Sequence, residues 1–389
     1  MKKKYQIFKL SNLKFRIQMF LISFKFFFYN YRRKNLKIFK FFDQRRIGAI
    51  PRIFISSFMV VLFFYTTPIF INYGNENLFS QKEFKNDFSW SFSRDNAFNT
   101  CKRKYYYSYY GSWGGWNKDA DELSKKLYML NKMTSLPMLA GSIVHDEVER
   151  TLKILRYGRK ADIEKSKENV IKNFKQSWAQ SKNKEWKDSP KWKANLFEHY
   201  YKKSLSDQEL LDIRDLMVNS VDGFFASDSY RFIQTMSDTQ WLAIEDLDSF
   251  EVHGAKLWVK LDFAIRHGER VYIYDWKTGK VAKENEVQLA IYALYAKQKW
   301  DVDLSLIRLF DVYLNQQLPV KVKPTGRLID SAKGFIENSI DSMKELLTDV
   351  DNNKTEIDLF PLVSEDRESY PCSYCSFQTI CYDEKEIGN

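Results

Sequence analysis

Residues 256–280 read KLWVKLDFAIRHGERVYIYDWKTGK, and this stretch decides the fold. Leu257, Val259, Leu261, Phe263 and Ile265 alternate, which predicts a strand with one apolar face. Asp262 falls on the other face with Trp258, Lys260 and Ala264. A second strand alternates Tyr272, Tyr274 and Trp276 against Val271, Ile273, Asp275 and Lys277. Gly268-Glu269 between them suits a two-residue hairpin turn, with glycine where a positive φ is needed.

The turn fixes the register. With His267 facing Arg270, Asp262 comes directly opposite Asp275, the two Cβ atoms about 5 Å apart on one face. Lys277 shares that face. Opposed carboxylates repel, and a hard divalent cation between them converts repulsion into binding, because Mg²⁺ prefers oxygen ligands. The lysine can then orient and deprotonate a water, or steady the charge that builds on a phosphate under attack. A hairpin edge facing solvent is the plainer alternative. The second acid, in register with the first, argues against it.

Outward from the hairpin, the sequence changes character. The chain has 389 residues, 44% hydrophobic and 29% charged, which excludes a disordered polymer, a collagen-like repeat and a polytopic membrane protein. The net charge of +11 is concentrated at one end. Residues 1–72 hold 15 Lys and Arg against the single acid Asp43, while the remainder holds 46 basic and 49 acidic residues. Contact with nucleic acid must therefore rest on local sites.

Residues 1–75 form a basic, apolar extension, and its uncharged part at 53–73 is long enough to span a bilayer behind Arg45, Arg46 and Arg52. An organellar presequence or a mis-called start are the other readings. A linker at 76–87 precedes the main body, 88–389. Residues 88–116 are dense in aromatics, which either pack a core or stack on unpaired bases. Helical spacing dominates 117–235, a period of two begins at Trp241, and a helix is expected at about 284–299. A hairpin at about 304–323 and a helix at about 327–348 follow. No phosphate loop of the Walker type occurs, so any helicase motor would come from another chain.

Asp262 and Asp275-x-Lys277 across a hairpin resemble the PD-(D/E)XK nuclease superfamily, and within it the RecB-like branch. AGSIVHDEVE (140–149) supplies His145 in the branch's G-x-x-x-H pattern, which implies a further metal ligand. QLAIYALYA (288–296) supplies Gln288 and Tyr292, matching the Q-x-x-x-Y helix that lines the active site. Glu245 is a weaker match to an acid sometimes found before the hairpin. The resemblance spans roughly residues 88–385. Taken singly, His145 would be an ordinary helical histidine pairing with Glu149, and Gln288 and Tyr292 a packing face. Lys260, where the branch often has glycine, and Lys102, where proline is usual after the first cysteine, depart from the pattern.

Cys372-x2-Cys375-x5-Cys381 and the remote Cys101 are the four cysteines, a set that suits one iron–sulfur cluster or one structural zinc. Their spacing is similar to that of AddB and the CRISPR-associated adaptation nucleases, which implies a [4Fe–4S] cluster, with Zn²⁺ as the less favoured occupant. Thiolate ligation needs a reducing compartment, so a cytoplasmic location is expected.

The resemblance implies an α/β protein with a restriction-endonuclease-like α/β/α core and a mixed sheet. A helical insertion is expected at about 146–240, and an iron–sulfur staple (tail 372–381) would join the two ends of the domain. It implies hydrolysis of DNA single strands or ends, in repair, recombination or CRISPR adaptation. His145, Asp262, Asp275 and the Trp276 backbone carbonyl would hold Mg²⁺ or Mn²⁺, with Lys277, Gln288 and Tyr292 completing the catalytic set. A helicase or recombination subunit would be a partner, and contact with a membrane stays open. A catalytically idle DNA-binding subunit and a membrane-tethered interaction module are the alternatives from other classes.

Overall fold

The computed structural model describes residues 85–381, except 238, 239, 283, 365 and 367. The extension at 1–75, its 53–73 segment, and positions 76–84 of the linker lie outside the described residues. Among the described residues no helix is long and apolar enough to cross a membrane.

The chain opens with β1 (Ser89–Trp90), α1 (Phe92–Thr100), α2 (Lys102–Tyr106), which runs into one wider helical turn, and α3 (Glu122–Asn131). A helical block follows: α4 (Leu136–Arg156), α5 (Ile163–Lys182), the single turn α6 (Phe197–Tyr200), α7 (Asp207–Ala226) and α8 (Asp228–Ile233). Next come β2 (Trp241–Val252), β3 (Ala255–His267) and β4 (Arg270–Lys277), then α9 (Glu284–Trp300), β5 (Ile307–Tyr313), β6 (Leu318–Val322) and α10 (Gly326–Lys344).

Among the described residues six strands form one mixed sheet. β3 is its axis: β2 runs antiparallel along one edge, while the other edge pairs with β1 at Lys256 and Leu257 and with β4 from Phe263 onward. β4 and β5 are parallel, joined by the crossover helix α9, and β6 returns antiparallel on β5. The hairpin expected after His267 is present, with His267 facing Arg270 and Gly268 at φ +58°. Alternating strands need an apolar layer on each covered face, and both faces are covered. On one side α9 and α10 pack against Leu257, Val259, Leu261, Ala264 and Ile273. On the other, α4, α7 and α8 pack against Phe263, Ile265, Tyr274 and Trp276.

That division departs from the single apolar face expected for β3. Leu257, Val259 and Leu261 lie in the first core, but Phe263 and Ile265 lie in the second. The alternation changes phase at Asp262. Opposite it, between the pairs Asp246–Leu261 and Ile244–Phe263, Glu245 stands in the left-handed region at φ +50°. The cost of a non-glycine residue there is local strain, of the kind that gathers where side chains must be re-aimed.

α4 buries Leu136, Leu139, Ala140, Ile143, Val144, Val148 and Leu152, a run at helical spacing. α9 is central: every residue from Leu289 to Ala296 is buried. The C-terminal tail closes on the first helices, with Phe377 and Ile380 packed against Tyr107, Leu127 and Leu130.

Candidate active site

The site forms where the kink in β3, the end of β4, the middle of α4 and the start of α9 meet. They line one cleft of about 920 Å³ that contains His145, Asp262, Asp275, Trp276, Lys277, Gln288 and Tyr292. The six catalytic candidates and Trp276 therefore border a common space, while Glu245 is not among its lining residues.

β4 and β3 set the acids. Asp262 is 7% exposed and Asp275 3% exposed, so neither charge is solvated and each requires a partner. Asp262 accepts a hydrogen bond from the Trp276 backbone N–H at 2.7 Å. Asp275 receives Lys277 Nζ at 2.5 Å and lies 3.2 Å from the Tyr292 hydroxyl. Burial first, and then the charge of Asp262, raise the Asp275 carboxyl above its ordinary range, with Lys277 opposing. The Trp276 ring is buried against Phe224 and Tyr274 in the second core, while the residue also borders the cleft.

α4 delivers the imidazole. A Cβ on Gly141 would lie 3.1 Å from Thr278 Oγ1, so glycine lets this helix approach the end of β4 closely. One turn on, His145 Nδ1 lies 3.4 Å from Glu245 Oε1 and 3.5 Å from Asp262 Oδ2. Burial pulls the imidazole down, but the charges of Asp262 and Glu245 outweigh it and raise His145 to about 10. Glu149 does not pair with it; Glu149 contacts Lys153 instead.

α9 completes the polar chain. Lys277 Nζ donates to Gln288 Oε1 at 2.8 Å, Gln288 Nε2 donates to the Tyr292 hydroxyl at 2.7 Å, and that hydroxyl is 3.0 Å from the Lys260 carbonyl. Tyr295 turns away and donates to Asp248 at 2.8 Å. Burial lowers the Lys277 ammonium, but Asp275 beside it more than compensates and raises it above its usual value.

His145, Glu245 and Asp262 each offer a ligand atom within 4.8 Å of the others. One imidazole and two carboxylates suit a hard divalent cation. Glu245 thus stands nearer the imidazole than its faint sequence signal suggested, and Lys260 binds its second oxygen at 2.6 Å. Asp275 is outside this trio, held by Lys277 and Tyr292. Asp311 had no place in the sequence reading. It pairs in register with Asp275 on β5, is 2% exposed, and its Oδ1 has no hydrogen-bond partner. Burial, then the charge of Asp275, raises it to about 7. A lone acid inside the apolar strand IRLFDVYL was its only signal.

Cys101, Cys372, Cys375 and Cys381 line one small cavity, which shares no lining residue with the catalytic cleft. Burial pushes the Cys375 thiol up.

A mixed sheet between two helical layers, with its acids and one lysine gathered at the junction of two central strands, is the restriction-endonuclease-like architecture. Residues 89–382 match the family model of the PD-(D/E)XK nuclease superfamily, and the chain belongs to it. Membership implies a metal-dependent nuclease acting on DNA. No curated protein matches the chain.

Proposed function

We propose that the protein is a Mg²⁺- or Mn²⁺-dependent deoxyribonuclease of the RecB-like kind, digesting DNA exonucleolytically from single strands or ends. The observation that carries this reading is one hydrogen-bonded relay, Lys277 to Gln288 to Tyr292, attached to the buried Asp275 in the cleft that His145 and Asp262 share. His145, Asp262 and Asp275 would hold the cation, with the Trp276 carbonyl as a further ligand, and Glu245, which converges with His145 and Asp262, would add a third acid. When bound, the cation supplies positive charge that polarises the phosphate and favours attack by water.

The chain's own groups do the rest. Lys277, steadied by two acceptors, places its ammonium where charge grows on the phosphate oxygens and orients the water. Gln288 fixes the lysine, and Tyr292 fixes the Asp275 carboxylate. Water adds its oxygen to phosphorus and gives up a proton to the solvent, the bond to the leaving sugar oxygen breaks, and that oxygen takes up a proton in turn.

We read the cysteines as ligands of a [4Fe–4S] cluster rather than of zinc, because one C-x2-C pair, Cys381 and the remote Cys101 are not the two paired knuckles usual for zinc. The four cysteines line one cavity, so one metal group can bind all four thiolates. Its role is structural, joining segments about 270 residues apart.

End-labelled and circular single strands, and matching duplexes, test the proposal with Mg²⁺ or Mn²⁺ and with EDTA. Wild-type protein is expected to degrade linear strands, spare circles and stop in EDTA. Asp275→Ala and Lys277→Ala should fold and not cut. Undiminished digestion by both variants refutes the assignment.

A further inference from the structure

We infer that a track of exposed tryptophans leads out of the catalytic cleft and binds an unpaired DNA strand by base stacking. The inference rests on the nuclease reading of that cleft and adds the surface that selects the substrate. The aromatic segment 88–116 divides sharply. Trp90, Phe98, Tyr105 and Tyr107 are buried in cores, but Trp113 is 41% and Trp116 43% exposed.

The exposure of these two is built. Gly114 between them takes φ +79°, which glycine alone adopts freely, and a Cβ on Gly115 would lie 2.2 Å from the Ser124 carbonyl oxygen. The glycine pair presses the turn onto α3 and turns both indoles outward, 5.1 Å apart and edge to face. Large apolar side chains displayed this way mark a binding surface.

The surface is continuous with the site. A second cleft, lined by Trp113, Trp116, Tyr109 and Tyr128, shares Ser91 and Trp258 with the catalytic cleft. A third, bordered by Trp192, shares Trp116 and Tyr128 with the second. Trp258 is 37% and Trp192 76% exposed, so indoles recur along the whole path. Cations flank them: Lys256 lies 3.9 Å over the Trp258 ring, Lys132 5.2 Å over Tyr128, and Lys191 4.8 Å over Trp192. The walls of the two outer clefts carry eight basic residues against the acids Asp87, Glu122 and Asp188. Aromatic faces between positive charges fit a flexible polyanion whose bases are free to stack. A duplex keeps its bases stacked on each other and gains nothing from the indoles.

Fluorescence anisotropy of labelled oligothymidylates, from 4 to about 20 nucleotides, tests this with the full-length protein in EDTA. Trp113→Ala/Trp116→Ala should weaken the longest strand on the order of tenfold to a hundredfold. The penalty should grow with strand length and be absent for duplex. The Phe substitutions at both positions should restore most of the affinity, which excludes a folding defect. Tyr157→Ala, an exposed aromatic elsewhere, should leave affinity unchanged. Equal affinity of the double alanine variant and wild type for all lengths overturns the track. So does equal affinity accompanied by lost self-association in sedimentation, which would make the indoles a protein interface. Wild-type protein that neither binds nor cuts single strands would instead remove the nuclease reading itself.

Discussion

The Trp276 backbone N–H donates to the Asp262 carboxylate at 2.7 Å, so an acid of β3 is tied to the main chain of β4 beside the second acid. The bond explains how an acid can sit where the alternation of β3 breaks. It also separates two properties of Asp262, its charge and its role as an acceptor.

Asp262→Asn keeps an acceptor for Trp276 and removes the charge. Its melting temperature should stay within a few degrees of wild type, while cleavage falls at least about a hundredfold, the scale of a lost metal ligand. Asp262→Ala removes both and should cost about a further 1 kcal/mol of stability. Paired thermal melts and single-turnover rates check the separation.

Asp311 gives a pH signature. Its folded value, raised to about 7, lies above the ordinary 3.8, so the folded protein binds this proton more tightly than the unfolded chain. Stability from this group is therefore full below pH 4 and lost as pH rises through 7. In EDTA, Asp311→Asn should match wild type near pH 4 and be more stable at pH 8, by on the order of 1–3 kcal/mol. Denaturant titrations at the two pH values measure it, and a gain that is equal at both contradicts the sign.

Gly223 on α7 holds the helical block to the sheet. A Cβ there would lie 1.9 Å from the Leu314 carbonyl oxygen, a rigid main-chain neighbour. Gly223→Ala should destabilise by about 1–3 kcal/mol through overpacking, despite the better helix propensity of alanine. Urea melts provide the measure.

Cys375→Ala tests the staple. Iron and acid-labile sulfide should fall from about four each per chain to near zero, and the melting temperature should drop by several degrees. Zinc in place of iron in the wild-type protein would exclude the cluster.

The hairpin register was legible because a two-residue turn leaves one pairing, and His267 indeed faces Arg270. Spacing of four put Gln288 and Tyr292 on one helix face, but only the resemblance to the Q-x-x-x-Y helix suggested that this face lines the cleft rather than a core. What escaped the sequence came from tertiary pairing. Nothing local to β5 tells that Asp311 will lie beside Asp275, since that pairing is made across the α9 crossover. The phase change at Asp262 was hidden for the same reason: both faces of β3 are covered, so apolar residues continue through the kink and mask it. Glu245 was seen only dimly, because its left-handed backbone, not its neighbours in sequence, aims it at His145.

Phe377 and Ile380 complete an apolar cluster begun by Tyr107, Leu127 and Leu130. During synthesis those early helices emerge from the ribosome long before the residues that cover them. Burial of Tyr107, Leu127 and Leu130 is therefore postponed until the segment carrying Phe377 and Ile380 has been made and has folded back onto them.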